Sequence, residues 1–160
     1  MKKAVFVSAL ILAVYIHVSA QEEKKMAAGL GAELNMNSRE MFAGGLALSF
    51  DYNLPVSSYP SAVGFTVTCS YNFKDTNVAE FAAFFRWYLQ EEGHQGWFIQ
   101  AEAGYTLISE EGDGNLPLPF LAGLRTGYRL PLGASFFAEP YVRFGYSFLF
   151  GIGVIGGMRF

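Results

Sequence analysis

The sequence predicts a single eight-stranded, antiparallel transmembrane β-barrel, exported behind a signal peptide. Three observations predict it: a basic then apolar N-terminus that ends in small residues, a two-residue alternation of apolar and polar side chains that continues to the last residue, and 18 Gly combined with 16 Phe, 9 Tyr and 2 Trp. Water-soluble cores seldom need glycines and aromatics together in such quantity.

The leader comes first. Lys2 and Lys3 form a basic n-region, Ala4 to Ile16 an apolar h-region, and Val18-Ser19-Ala20 supplies the small residues that precede a cleavage point. The apolar stretch is shorter than the ~20 residues of a spanning helix, and no stop-transfer pattern follows. Cleavage between Ala20 and Gln21 is therefore expected, with a signal peptide over 1–20 and a barrel domain over 21–160. No cysteine follows Ala20, so lipoprotein processing is not indicated. Fourteen acidic residues against eleven basic give a net charge of −3, and losing Lys2 and Lys3 makes the remainder more acidic, which argues against a nucleic-acid partner. Cys69 is the one cysteine, so no intramolecular disulfide stabilises the exported chain.

Candidate strands lie near 26–36, 41–53, 62–73, 78–90, 96–108, 119–130, 135–146 and 148–160, with turn-rich residues between them. The first two carry Glu33 and Asp51 on the face opposite the apolar one. In the third, Val63, Phe65, Val67, Cys69, Tyr71 and Phe73 alternate with Gly64, Thr66, Thr68, Ser70 and Asn72. The fourth sets Phe81, Ala83, Phe85, Trp87 and Leu89 against Glu80, Arg86 and Gln90, and the fifth sets Trp97, Ile99, Ala101, Ala103, Tyr105 and Leu107 against Gln100, Glu102, Gly104 and Thr106. The sixth has Arg125 and Arg129 on its polar face. The seventh alternates Phe136, Ala138, Pro140, Val142, Phe144 and Tyr146 with Glu139, Tyr141 and Arg143, and the eighth presents Phe148, Phe150, Ile152, Val154, Met158 and Phe160. Strands of about 11 residues cross a bilayer when tilted. The uncharged run from Phe144 to Met158 is too short and too rich in glycine to be a spanning helix.

Alternation alone also fits a soluble β-sandwich or a lipocalin-like barrel. The inside-out reading is preferred because the polar face is small enough, in Gly, Ala, Ser and Thr, to fill a narrow lumen, while the bulky aromatic face suits lipid. Trp87, Tyr88, Trp97, Tyr52 and Tyr59 lie near strand ends, where aromatic girdles occur. The lumen then receives Glu33, Asp51, Glu80, Glu102 and Glu139 together with Arg86, Arg125, Arg129, Arg143 and Arg159. Simple hairpin registers set Glu102 beside Arg125 and diagonal to Arg86, and Glu139 diagonal to Arg129.

The chain ends Gly156-Gly157-Met158-Arg159-Phe160, a strand that finishes on an aromatic residue with apolar residues at alternate positions before it. This resembles the C-terminal signature of outer-membrane barrels, and with the leader and eight strands the chain resembles the small barrel group of OmpA-, OmpX- and OmpW-like proteins. The resemblance implies residence in the cell outer membrane, surrounded by lipid and by lipopolysaccharide or an equivalent glycolipid. It also implies that the barrel-assembly machinery reads the terminal strand through Phe160 and Met158. A departure is that the outward connections near 37–40, 74–77 and 146–148 are short and only 109–118 is long, which counts against an adhesin.

Other motifs have plain readings. Gly151-Ile152-Gly153-Val154-Ile155-Gly156 matches G-x-G-x-x-G, but the chain ends four residues later, leaving no helix and no distal acidic residue for a dinucleotide. Gly153 and Gly157 form a G-x-x-x-G whose pairing role needs a helix. Glu110, Glu111 and Asp113 do not match a calcium-loop spacing and read as a solvated loop. Glu22, Glu23, Lys24 and Lys25 read as a solvated tail. His94, the one histidine outside the leader, falls in a turn on the inner side. Barrel enzymes resemble one another in placing a histidine-based constellation near the outer rim; this chain has none there, and Ser70, Ser109 and Ser147 lack an evident base. No enzyme activity, cofactor or metal is expected. The function classes that remain, in order, are a structural or surface barrel with a filled lumen, a narrow pore or OmpW-like transporter of small apolar molecules, and an adhesin or antigen acting through loop 109–118.

Overall fold

The computed structural model describes residues 24–36, 42–55, 59–71, 76–90, 93–110 and 120–160. The expected leader, its Ala20–Gln21 junction, and Glu111 and Asp113 lie outside these residues.

Eight strands form one closed sheet: β1 (Met26–Met36), β2 (Phe42–Leu54), β3 (Ser61–Tyr71), β4 (Thr76–Tyr88), β5 (Gly96–Glu110), β6 (Phe120–Leu132), β7 (Phe136–Tyr146) and β8 (Phe150–Arg159). Each pairs antiparallel with the next, and β8 returns to β1. Closure removes the exposed edges that an open sheet would leave. The seam holds to the last residue: Met26 N donates to Phe160 O at 3.0 Å, and Phe160 N donates to Met26 O at 2.9 Å. The ladder between β6 and β7 is interrupted around Pro140, whose ring nitrogen has no hydrogen to donate. Met26 and Phe160 lie at one end of the barrel, called here the terminal end. The far end carries the β1–β2, β3–β4, β5–β6 and β7–β8 connections.

Burial follows the two-residue period and inverts the order of a soluble protein. Outward positions such as Leu30, Leu46, Phe81, Phe120 and Leu124 are exposed, whereas Glu33, Asp51, Arg86, Arg129 and Glu139 are buried. Trp87, Trp97, Tyr52 and Tyr59 face outward as a girdle requires. Tyr88 does not: it is fully buried in the lumen, because it shares the phase of Arg86 rather than that of Trp87.

The two halves of the barrel contribute unequally to its interior. Besides Glu33, Asn35, Asp51, Asn53 and Ile155, strands β8, β1 and β2 turn small side chains inward, while β4 to β7 turn in every lumen arginine and most of the large aromatic side chains. The small half is the space that the large half fills. A Cβ on Gly157 would come 2.4 Å from the Phe137 ring, one on Gly153 2.5 Å from the Tyr141 ring, and one on Gly151 2.8 Å from Arg143 Cγ. Of the expected solvated tail, Glu22 and Glu23 lie outside the described residues, and Lys24 is not simply solvated. Lys24 Nζ donates to Ser135 Oγ at 2.6 Å, and Lys24 O accepts from Asn53 Nδ2 at 3.0 Å, which ties the segment before β1 across the terminal rim.

Candidate functional site

The candidate site is the charged lumen. Period two in an antiparallel barrel sends every second residue inward, so one acidic or basic residue per strand turn is enough to build a stack of ionic layers.

Near the terminal end, Asp51 (β2), Arg86 (β4), Arg129 (β6) and Glu139 (β7) form one layer. Arg86 Nη2 donates to Glu139 Oε1 at 2.8 Å and Nη1 donates to Glu139 Oε2 at 2.8 Å, a two-pronged contact that fits the planar guanidinium. Arg86 Nε and Nη2 also donate to Gln100 Oε1 at 2.9 and 2.7 Å, and Nη1 donates to Tyr88 Oη at 3.3 Å. Arg129 Nε donates to Glu139 Oε2 at 2.7 Å and Arg129 Nη2 to Asp51 Oδ2 at 2.7 Å. Because β2 and β6 stand four strands apart in a ring of eight, that last bond crosses the full width of the lumen. The guanidinium planes lie against rings, Arg86 at 4.1 Å from the Phe98 centroid and Arg129 at 4.3 Å from that of Phe137. Such stacking gains strength where water is excluded. His94, in the turn after β4, meets Tyr88 edge-on at 5.6 Å at this end.

Toward the far end, Arg143 (β7) is the hub. Its Nη1 donates to Glu33 Oε1 at 3.1 Å and to Glu80 Oε2 at 2.7 Å, and its Nη2 to Glu80 Oε1 at 3.1 Å. Tyr141 Oη donates to Glu33 Oε2 at 2.7 Å, Asn35 Nδ2 donates to Glu33 Oε1, and Ser147 Oγ donates to Glu80 Oε1 at 2.6 Å.

Between the layers, Glu102 and Arg125 form a looser pair. Arg125 Nη2 stands 3.6 Å from Glu102 Oε2, which also accepts from Gln100 Nε2 at 3.1 Å. Arg143 Nε lies 3.8 Å from Glu102 Oε1. The Arg125 guanidinium rests on the Tyr141 ring at 4.3 Å, and its Nε and Nη1, like Glu102 Oε1, have no hydrogen-bond partner among the described residues.

Of the residues that the sequence assigns to the lumen, Glu33, Asp51, Glu80, Glu102, Glu139, Arg86, Arg125, Arg129 and Arg143 are all buried. Arg159 is placed differently. It is next to the C-terminus opposite Ala27, it is half-buried at the open terminal rim, and it makes no ion pair among the described residues. The expected registers need correction as well. Gln100, not Glu102, is opposite Arg125, and Glu102 is opposite Gly123, so the Glu102–Arg125 contact is diagonal. Glu102 is diagonal to Arg86 as expected, but Arg86 takes its ion pair from Glu139 across the lumen. Met158 and Phe160 sit on the outward phase of β8, with the Phe160 ring 6.5 Å from that of Phe50.

Sequence reasoning placed Tyr141 on the polar face with Glu139 and Arg143, and it is buried there, but missed the other inward aromatics. Phe84, Tyr88, Phe98 and Phe137 are all buried, and each lies two residues from a buried charged or amide side chain of its own strand. That parity was the available signal.

No protein-family model and no curated protein matches the sequence. Among solved structures, the chain is similar to a de novo designed transmembrane β-barrel, with a TM-score of 0.51 at 11% identity over 88% of this chain and 98% of that one. It is also similar to a second designed barrel, solved by solution NMR, with a TM-score of 0.49 at 15% identity over 87% and 97%. For the β-domain of a Bordetella autotransporter, BrkA, the TM-score is 0.26 at 12% identity over 85% and 99%. With its own closed ring of eight antiparallel strands, the first of these likenesses shows the fold: this chain is an eight-stranded β-barrel of the transmembrane type.

Proposed function

We propose that this chain is an integral outer-membrane protein with a structural or surface role, whose lumen is closed to ions. The observation that carries this reading is the Arg129–Asp51 bond across the whole lumen, in a layer where Asp51, Arg86, Arg129 and Glu139 are at most 1% exposed. Ion pairs that span the bore and leave no wetted surface act as a plug, whereas a pore needs a continuous water-lined path. The exposed aromatic and aliphatic exterior supports a lipid surround, with lipopolysaccharide or an equivalent glycolipid on the outer face and the barrel-assembly machinery as the transient partner.

Protein extracted from outer membranes and reconstituted in planar lipid bilayers should show no steady conductance. Large, stable channel openings in the wild type would reject the closed lumen and favour a narrow pore. Recovery only in soluble or inner-membrane fractions would reject the location.

A further inference from the structure

The connection between β7 and β8, residues 147–149, does not loop away from the barrel. It turns in. Phe148 is 4% exposed although it lies between two strands, whereas the next residue, Leu149, is exposed. The Phe148 side chain belongs to a cluster with Ala43 of β2 and Val78 of β4, and Ile108 of β5 packs against that cluster. These three strands all reach the far mouth, so the phenyl ring sits between Ala43 of β2 and the adjacent Val78–Ile108 pair of β4 and β5. Beneath it, Ser147 Oγ donates to Glu80 Oε1 at 2.6 Å and lies 3.5 Å from Thr106 Oγ1. The Phe148 ring centroid lies 6.0 Å from Arg143 Cζ.

We infer that residues 147–149 are a built-in stopper of the far mouth, with Phe148 as its apolar head and Ser147 as its latch on Glu80. The physical case rests on what lies below. Glu80 and Arg143 are buried, and an ion pair in a dry setting loses much of its attraction when water enters. Strand pairing closes the wall but leaves the bore of a barrel open at its ends. At the far mouth the apolar cluster around Phe148 lies over the Glu80–Arg143 layer and keeps it dry. Because three residues form the stopper, it opens locally without breaking the ladder of β7 with β8, which ends at Phe144 and Phe150. The inference concerns the far mouth and does not depend on which membrane holds the barrel.

Cysteine reactivity tests it on the folded, full-length barrel in detergent. In a Cys69→Ser background, Val78→Cys places a thiol under the stopper, and Ser49→Cys places a second one deep in the lumen. With the stopper intact, both thiols should react slowly with a small water-soluble maleimide. Adding Phe148→Ala should speed labelling at residue 78 by about a hundredfold, the order expected when a buried phenyl is lost from a local opening equilibrium, and leave residue 49 protected. Ser147→Ala, which removes only the latch, should give a smaller rise at residue 78 and keeps the test open if Phe148→Ala does not fold. Leu149→Ala, on the exposed side of the same turn, should change nothing. Equal labelling of residue 78 with and without the stopper changes would overturn the inference. So would parallel exposure of residues 78 and 49, since the turn would then not act locally.

Discussion

Arg86 and Arg125 are both buried in the same lumen, yet their surroundings differ. Every guanidinium nitrogen of Arg86 donates to Glu139, Gln100 or Tyr88. Arg125 has one long contact with Glu102 and the face of Tyr141. A buried ion pair broken from one side typically loses roughly 3–5 kcal/mol, because the remaining charge is left bare. Arg86→Leu should therefore lower the urea midpoint of the barrel in detergent substantially, by leaving Glu139 with Arg129 alone. Arg125→Leu should cost about 1–3 kcal/mol, the range for leaving a single buried group short of a partner. Tryptophan fluorescence from Trp87 and Trp97 reports both unfolding curves, and equal midpoints would contradict this ranking. At this scale the sequence was readable by parity: the phase that holds Glu80 and Arg86 also holds Phe84 and Tyr88. Tyr88 was misplaced because a tyrosine at a strand end suits a girdle as well as a lumen, and only its phase separates the two.

At the scale of the strand, Gly31 and Ala32 are adjacent in β1 but face opposite sides of the wall. A Cβ at Gly31 would come 2.1 Å from Val154 O and 2.8 Å from Ile155 Cα, contacts with the backbone of β8 that no rotamer change relieves. Ala32 points outward and is exposed. Gly31→Val should thus push β1 from β8 and destabilise the barrel by roughly 1–3 kcal/mol or more, while Ala32→Val should be tolerated. Heat-modifiable gel migration and a urea titration of the two variants check this, and equal stability would remove the argument that the seam needs a bare backbone. Strand positions were legible from alternation to within two residues at each end. The grouping of small residues on β8, β1 and β2 was visible as composition. Its purpose was legible only for β8, where the β7–β8 hairpin sets Phe137, Tyr141 and Arg143 opposite Gly157, Gly153 and Gly151; no hairpin register connects β4 to β6 with β1.

For the whole molecule, the order of strands was legible because each hairpin pairs neighbours and eight strands close a ring. The partners across the bore were not, since register fixes only adjacent strands. Arg129 with Asp51 and Arg143 with Glu80 are contacts between strands that share no ladder. The seam that closes the ring runs from Met36 and Phe150 on to Phe160. Phe160 exchanges backbone hydrogen bonds with Met26 and turns its ring outward beside Phe50. Phe160→Asp puts a charge on that outward face next to the seam, and should lower the amount of barrel recovered in membranes and the fraction that migrates as the folded form. Unchanged abundance and migration would count against a closing role for the terminal strand.

The ionic layers also constrain how such a chain assembles. Glu33 finds Arg143 across 110 residues of sequence, Tyr141 reaches Glu33 across 108, and Asp51 meets Arg129 across 78. None of these contacts exists in a hairpin, or in a sheet that has not yet curled round. A half-built sheet entering hydrocarbon would carry bare carboxylates and guanidiniums along its concave face, each at a cost of several kcal/mol. The same charges that lock the finished barrel thus penalise every partial one, so ring closure is expected to accompany insertion and not to follow it.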